Sequence, residues 1–115
     1  MKVIIAGGRD FNGYLLLKEK CDLFLSGIDE VEIVSGKAKG ADALGEQYAK
    51  EMGYKITYFQ PDWKLHGRGA GIRRNAEMAK YADMLIAFWD GKSAGTRSMI
   101  ELAKRYKIEV KVVRI

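Results

Sequence analysis

"IVSGKAKGAD", residues Ile33–Asp42, decides how this chain is read. Two β-branched residues run into Ser35-Gly36. Beyond Gly40 the apolar positions Ala41, Leu44, Tyr48 and Met52 recur at the spacing of one helix face, and Gly53 suits the C-terminal cap. A strand therefore hands over to a helix across a turn that holds two glycines and two lysines.

The same handover recurs on either side. "MKVIIAGG" at the start is a short apolar run closed by glycines, the pattern of a buried parallel strand. Asn12 stands where it can cap a helix whose Leu17, Cys21, Phe24 and Ile28 share a face. "YKITYF" reads as a third strand, followed by the only proline, Pro61. "DWKLHGRGAG" reads as a long loop broken by glycines, and "IRRNAEMAKYA" as a helix with Ile72, Ala76 and Ala79 on one side. "DMLIAFWDG" is a fourth strand, and Thr96 is placed to cap a helix carrying Met99, Ile100, Ala103 and Tyr106. "IEVKVVRI" alternates like a strand near the rim of a sheet. The alternation predicts one α/β domain over residues 1–115, with a parallel sheet covered on both faces and Ile4, Ile33, Ile56, Ile86 and Val110 in its core. Right-handed crossovers then bring every strand-to-helix turn to one edge, where such sheets bind ligands.

Composition narrows the classes. A single cysteine, Cys21, excludes an intrachain disulfide, and its place in an apolar helical pattern marks a buried thiol. No apolar run reaches a membrane span and no signal peptide is visible, so a cytoplasmic protein without membrane contact is expected. One histidine, His66, and no cysteine pair argue against a metal site. The net charge of +5 is unevenly placed. Segments 7–13, 35–42, 60–75 and 90–97 hold nine Lys and Arg against four Asp, while the remainder is balanced at eleven each. An anionic partner for the loops follows.

Three turns carry that charge. "GGRD" supplies Gly7, Gly8, Arg9 and Asp10; "SGKAKGAD" supplies Ser35, Gly36, Lys37, Lys39, Gly40 and Asp42; "DGKSAGT" supplies Asp90, Gly91, Ser93, Gly95 and Thr96. Glycine lets backbone approach a ligand, and N–H groups at a helix start bind anions. Arg74 and Asn75, early in a helix, are the remaining candidates. In "SGKAKGAD" Ser35 and the N–H groups of Gly36 to Gly40 are expected to donate to a phosphate, Lys37 or Lys39 to add one charge-assisted bond, and Asp42 to turn aside, capping its own helix or holding a ribose hydroxyl. Neither the P-loop pattern nor G-x-G-x-x-G occurs, so P-loop hydrolysis and nicotinamide chemistry are disfavoured and no cofactor is expected. Trp63 and Trp89 suit either base stacking or a core or interface role.

Taken together, "GGRDF", "SGKAKGAD", "DW", "RN" and "FWDGKSAGT" resemble the YspA-like branch of the SLOG superfamily, from Gly7 to about Ala103. That superfamily also groups the Lonely Guy phosphoribohydrolases and the DNA-processing protein DprA. The resemblance implies a Rossmann-like three-layer α/β/α sandwich with five mainly parallel strands in the order 3-2-1-4-5. It also implies a nucleotide or nucleotide-derived ligand at the glycine edge, bound by a sensor or processing protein. The Lonely Guy relatives imply N-glycosidic cleavage and a homo-oligomer, and DprA implies nucleic acid as a weaker alternative. Against the Lonely Guy pattern, Arg74 and Met78 match, Asn75 replaces a lysine, and Gly95-Thr96 match, but Arg97, Ser98 and Met99 stand where the catalytic glutamate belongs. Arg74, Asp10 and Glu101 are the catalytic candidates that remain, with Asp42 and Asp90 as further carboxylates at that edge.

Overall fold

The computed structural model describes residues Met1–Ile115. Its strands are β1 (Lys2–Gly7), β2 (Glu32–Ser35), β3 (Lys55–Tyr58), β4 (Met84–Trp89) and β5 (Glu109–Arg114). Its helices are α1 (Tyr14–Phe24), α2 (Ala41–Met52), α3 (Trp63–His66), α4 (Ala70–Tyr81) and α5 (Ala94–Arg105). All strand pairings are parallel, in the order β3-β2-β1-β4-β5. The predicted Rossmann-like sheet and its strand order are thus present.

The period-two alternation of the strands sorts the core into two layers. Val3, Ile5, Ile33, Ile86 and Phe88 face α1 and α2, where Leu17, Cys21 and Tyr48 complete one cluster. Ile4, Ala6, Val34, Leu85 and Ala87 face α4 and α5, where Met78, Met99 and Ala103 complete the other. Cys21 is fully buried, and desolvation pushes its thiol up to about 12, as expected of an inert structural cysteine.

Several local expectations change. Ile56 and Val110 are only half-buried, because β3 and β5 are the two edge strands. Helix α1 ends at Phe24, so Ile28 packs from the following turn, and Gly13 rather than Asn12 precedes the helix, with no side-chain cap. Ser93 caps α5; Thr96 sits three residues inside and donates its N–H to the Ser93 hydroxyl at 3.4 Å. The stretch read as loop after Pro61 contains α3 and a 3-10 turn over Gly67–Gly69, because the Asp62 carboxylate accepts the Leu65 N–H at 3.0 Å and starts a helical turn. Helix α4 turns Ala70, Asn75, Met78 and Ala79 inward, leaving Ile72 59% exposed. Met52 and Tyr106, assigned to inward helix faces, are exposed as well.

No helix is long and apolar enough to cross a membrane.

Candidate functional site

Apart from the tyrosine and cysteine of the core, four polar side chains are buried: Ser35, Asp42, Asn75 and Thr96. Ser35 ends β2, Asp42 and Thr96 lie in the first turns of α2 and α5, and Asn75 faces inward from α4. Burial of polar groups costs free energy unless they are bonded, so their gathering in one region marks built polar architecture.

Two adjoining clefts open there. The inner one, about 200 Å³, is lined by Ala6, Gly7, Arg9, Ala38, Asp42, Arg74, Asn75, Met78, Ser93, Gly95, Thr96 and Met99. The outer one, about 520 Å³, is lined by Gly8, Arg9, Asp10, Phe11, Asn12, Asp90, Lys92, Ser93 and Ile115. Arg9 and Ser93 belong to both. The first and third glycine turns therefore converge as expected, and Arg74 and Asn75 join them. Ser35, Gly36, Lys37, Lys39, Gly40 and Gly91 line neither cleft. Glu101 lies exposed on α5 and also lines neither, so the geometry does not favour it as a catalytic acid.

The second turn is the largest departure from expectation. Asp42 does not cap its own helix. Its carboxylate turns into the turn and accepts the N–H of Gly36 at 3.1 Å and of Ala38 at 3.3 Å. The Lys37 N–H donates to Ser35 Oγ, and that hydroxyl donates to Glu46 at 2.6 Å. Lys37 Nζ lies 3.8 Å from Glu46 and 4.6 Å from the Tyr58 ring centroid. Of the donors assigned to a phosphate, the N–H groups of Gly36 and Ala38, the Ser35 hydroxyl and the Lys37 ammonium are thus engaged by two carboxylates of α2, one turn apart. Glu46 was not singled out from the sequence, although its i, i+4 spacing from Asp42 places both on one helix face.

Arg74 bridges this turn to the inner cleft. Its Nη1 donates to the Gly36 carbonyl and its Nε to Asn75 Oδ1 at 2.9 Å. Burial lowers its pKa and the Asp42 charge opposes that shift, but a guanidinium stays protonated. The start of α5 is equally ordered. Asp90 Oδ1 accepts the N–H groups of Lys92 and Ser93 at 2.7 and 2.8 Å, which holds its carboxyl below the usual range. Ser93 Oγ and Thr96 Oγ1 are 3.0 Å apart, and the Ser93 carbonyl takes the Arg97 N–H. The N–H groups of Ala94 and Gly95 remain without partners, as helix geometry dictates for a first turn. No acidic residue stands in that turn itself; the nearest carboxylate, Asp90, is bonded to the N–H groups of Lys92 and Ser93 just before it.

Desolvation raises Asp42 from 3.8 to about 6, against the lowering effects of the Ala38 N–H, Arg74 and the Gly36 N–H. Between those values the folded chain holds a proton that the unfolded chain releases, so stability falls as pH rises through the window. Two units correspond to about 2–3 kcal/mol. Asp42→Asn keeps an oxygen for both N–H groups and removes the titration. Urea midpoints of the wild type should therefore fall relative to those of Asp42→Asn between pH 4 and 6; parallel profiles would contradict a buried, destabilised carboxylate.

Fold and site define a Rossmann-like α/β protein with a polar, cationic cleft at the carboxyl edge of its sheet. The chain belongs to the YspA, cpYpsA-related SLOG family, whose profile matches residues 1–66, from β1 through α3. It is 37% identical over 84 residues to the gene 61 protein of Mycobacterium phage D29, covering 68% of this chain and 67% of that one. Its fold is similar to that of DNA processing protein A, DprA, from Streptococcus pneumoniae, with a TM-score of 0.76 at 18% identity. That match covers 96% of this chain but only 49% of DprA, so the chain spans about half of that relative.

Proposed function

We propose that the chain binds a nucleotide or nucleotide-derived ligand, with a phosphate seated in the inner cleft. The observation that carries this reading is the composition of that cleft. Three of the four buried polar side chains line it, together with Arg9, Arg74 and the first residues of α5. A phosphate there would accept the N–H groups of Ala94 and Gly95, the Thr96 hydroxyl and the guanidinium of Arg74. The outer cleft, with Asp10, Asn12, Asp90 and Lys92, offers further polar donors and acceptors beside the phosphate position. Binding without turnover suits the geometry best, because Asp42 is committed to two backbone N–H groups.

A second reading rests on Asp42 alone. It is the one carboxylate lining the inner cleft, and a pKa near 6 suits an acid or base for N-glycosidic cleavage. Incubation with nucleoside monophosphates separates the two. Sensing predicts a raised melting temperature with no free base, whereas hydrolysis releases base and ribose 5-phosphate. No shift with any nucleotide would contradict both. Nucleic acid is a third partner class, suggested by the cationic cleft, and affinity for DNA that falls steeply with salt would favour it over a small ligand.

A further inference from the structure

The structure separates the two tryptophans that the sequence leaves equivalent. Trp89 packs against the α4–α5 core, donates its Nε1–H to the Ser93 carbonyl at 3.1 Å, and has the guanidiniums of Arg97 and Arg114 each 5.5 Å from its ring centroid. It is already occupied. Trp63 is not: it is 59% exposed and belongs to neither core cluster. It does not itself line the inner cleft, but its ring lies beside Arg74, which does. A side chain on Gly71 would meet the Trp63 ring at 3.8 Å and the Arg74 guanidinium at 3.9 Å. The aromatic ring and the cation that lines the phosphate site thus flank one point beside the Gly71 backbone, each at van der Waals distance from it. Trp63 also shares a shallow depression of about 510 Å³ with Gln60, Pro61, Asp62 and Lys64.

From this juxtaposition we infer that Trp63 is the platform on which the base of the ligand stacks, while Arg74 holds its phosphate. The inference rests on the phosphate reading above and adds recognition of a flat aromatic group to it. An exposed indole beside a cation is the combination that binds nucleobases with little regard to their identity, because every base presents a π-face. Leu65 and Ile72 are exposed on the same segment, so the rival occupant of this surface is a second copy of the chain.

Calorimetric titration with adenosine monophosphate and with ribose 5-phosphate tests it, on the wild type, Trp63→Ala and Trp63→Phe. Trp63→Ala should weaken the adenosine monophosphate about five- to a hundredfold and leave ribose 5-phosphate unchanged, and Trp63→Phe should retain most of the affinity. Loss for both probes alike, loss for neither, or a change of oligomeric state in gel filtration with the nucleotide affinity intact would overturn it. A wild type that binds both probes equally well overturns the base platform but keeps the phosphate site. A wild type that binds neither overturns both.

Discussion

Gly40→Ala is expected to destabilise the chain by about 3–5 kcal/mol, enough to leave a small domain barely folded. Gly40 has φ 75° and ψ −123°, a conformation essentially confined to glycine. A Cβ at this position would lie 2.2 Å from the Gly8 carbonyl oxygen and 2.6 Å from that of Arg9. Both obstacles are backbone, so no rotamer change can relieve the overlap. The approach is close because the Ala41 N–H donates to the Gly8 carbonyl at 3.3 Å, which ties the second turn to the first. Glycine is thus required here by the meeting of two loops, not by a ligand. Urea unfolding of Gly40→Ala measures the effect. A loss below about 1 kcal/mol would mean that the two turns are not locked together as described.

Gly95→Val should do the reverse. A Cβ on Gly95 meets nothing within 4 Å, and the residue lies in the first turn of α5, where it lines the inner cleft. Valine is slightly better than glycine inside a helix, so stability should hold or rise by a few tenths of a kcal/mol. The new side chain projects into open space at the proposed phosphate position and separates a ligand from the N–H groups it would use. Losing two charge-assisted bonds, each about 1.5–3 kcal/mol, weakens binding about a hundredfold or more. Gly36→Val, at the glycine of the second turn, is not an equivalent probe. A Cβ there would lie 2.9 Å from both Arg74 Nη1 and Asp42 Oδ2, so folding and binding would suffer together. Thermal melts and nucleotide titrations of Gly95→Val test the point; unchanged affinity would remove the start of α5 from the site.

The sheet was legible because its strands are short apolar runs separated by clear helical periods, as in "KVIIAG" and "MLIAFW". Helix α2 was legible to its ends, since Gly40 and Gly53 bracket an unbroken period. Helix α3 was not, because glycines at 67, 69 and 71 mask the capping signal of Asp62. The buried side of α4 was misread because its inward stripe includes a polar residue, Asn75, and its outward side an apolar one, Ile72. An Asn is placed inside by its partner, here the Nε of Arg74, and a one-dimensional pattern does not show partners. The same limit hid the inward turn of Asp42. A carboxylate after glycine and lysine looks like a helix-dipole residue, whereas in three dimensions it supplies the anion that the N–H groups of Gly36 and Ala38 bind. The gathering of the first and third turns at one cleft was legible, because parallel topology alone brings them to the same edge.

A phosphate held in the inner cleft is tested most directly by titrating the wild type and Arg74→Ala with adenosine monophosphate and with adenosine. Removing one charge-assisted bond to an arginine changes affinity by about one to two decades. The wild type should therefore bind the monophosphate at least about tenfold more tightly than the nucleoside, and Arg74→Ala should bring the two within about threefold of each other. Equal affinities in the wild type, or a preference that survives intact in Arg74→Ala, would contradict a phosphate seated between Arg74 and the start of α5.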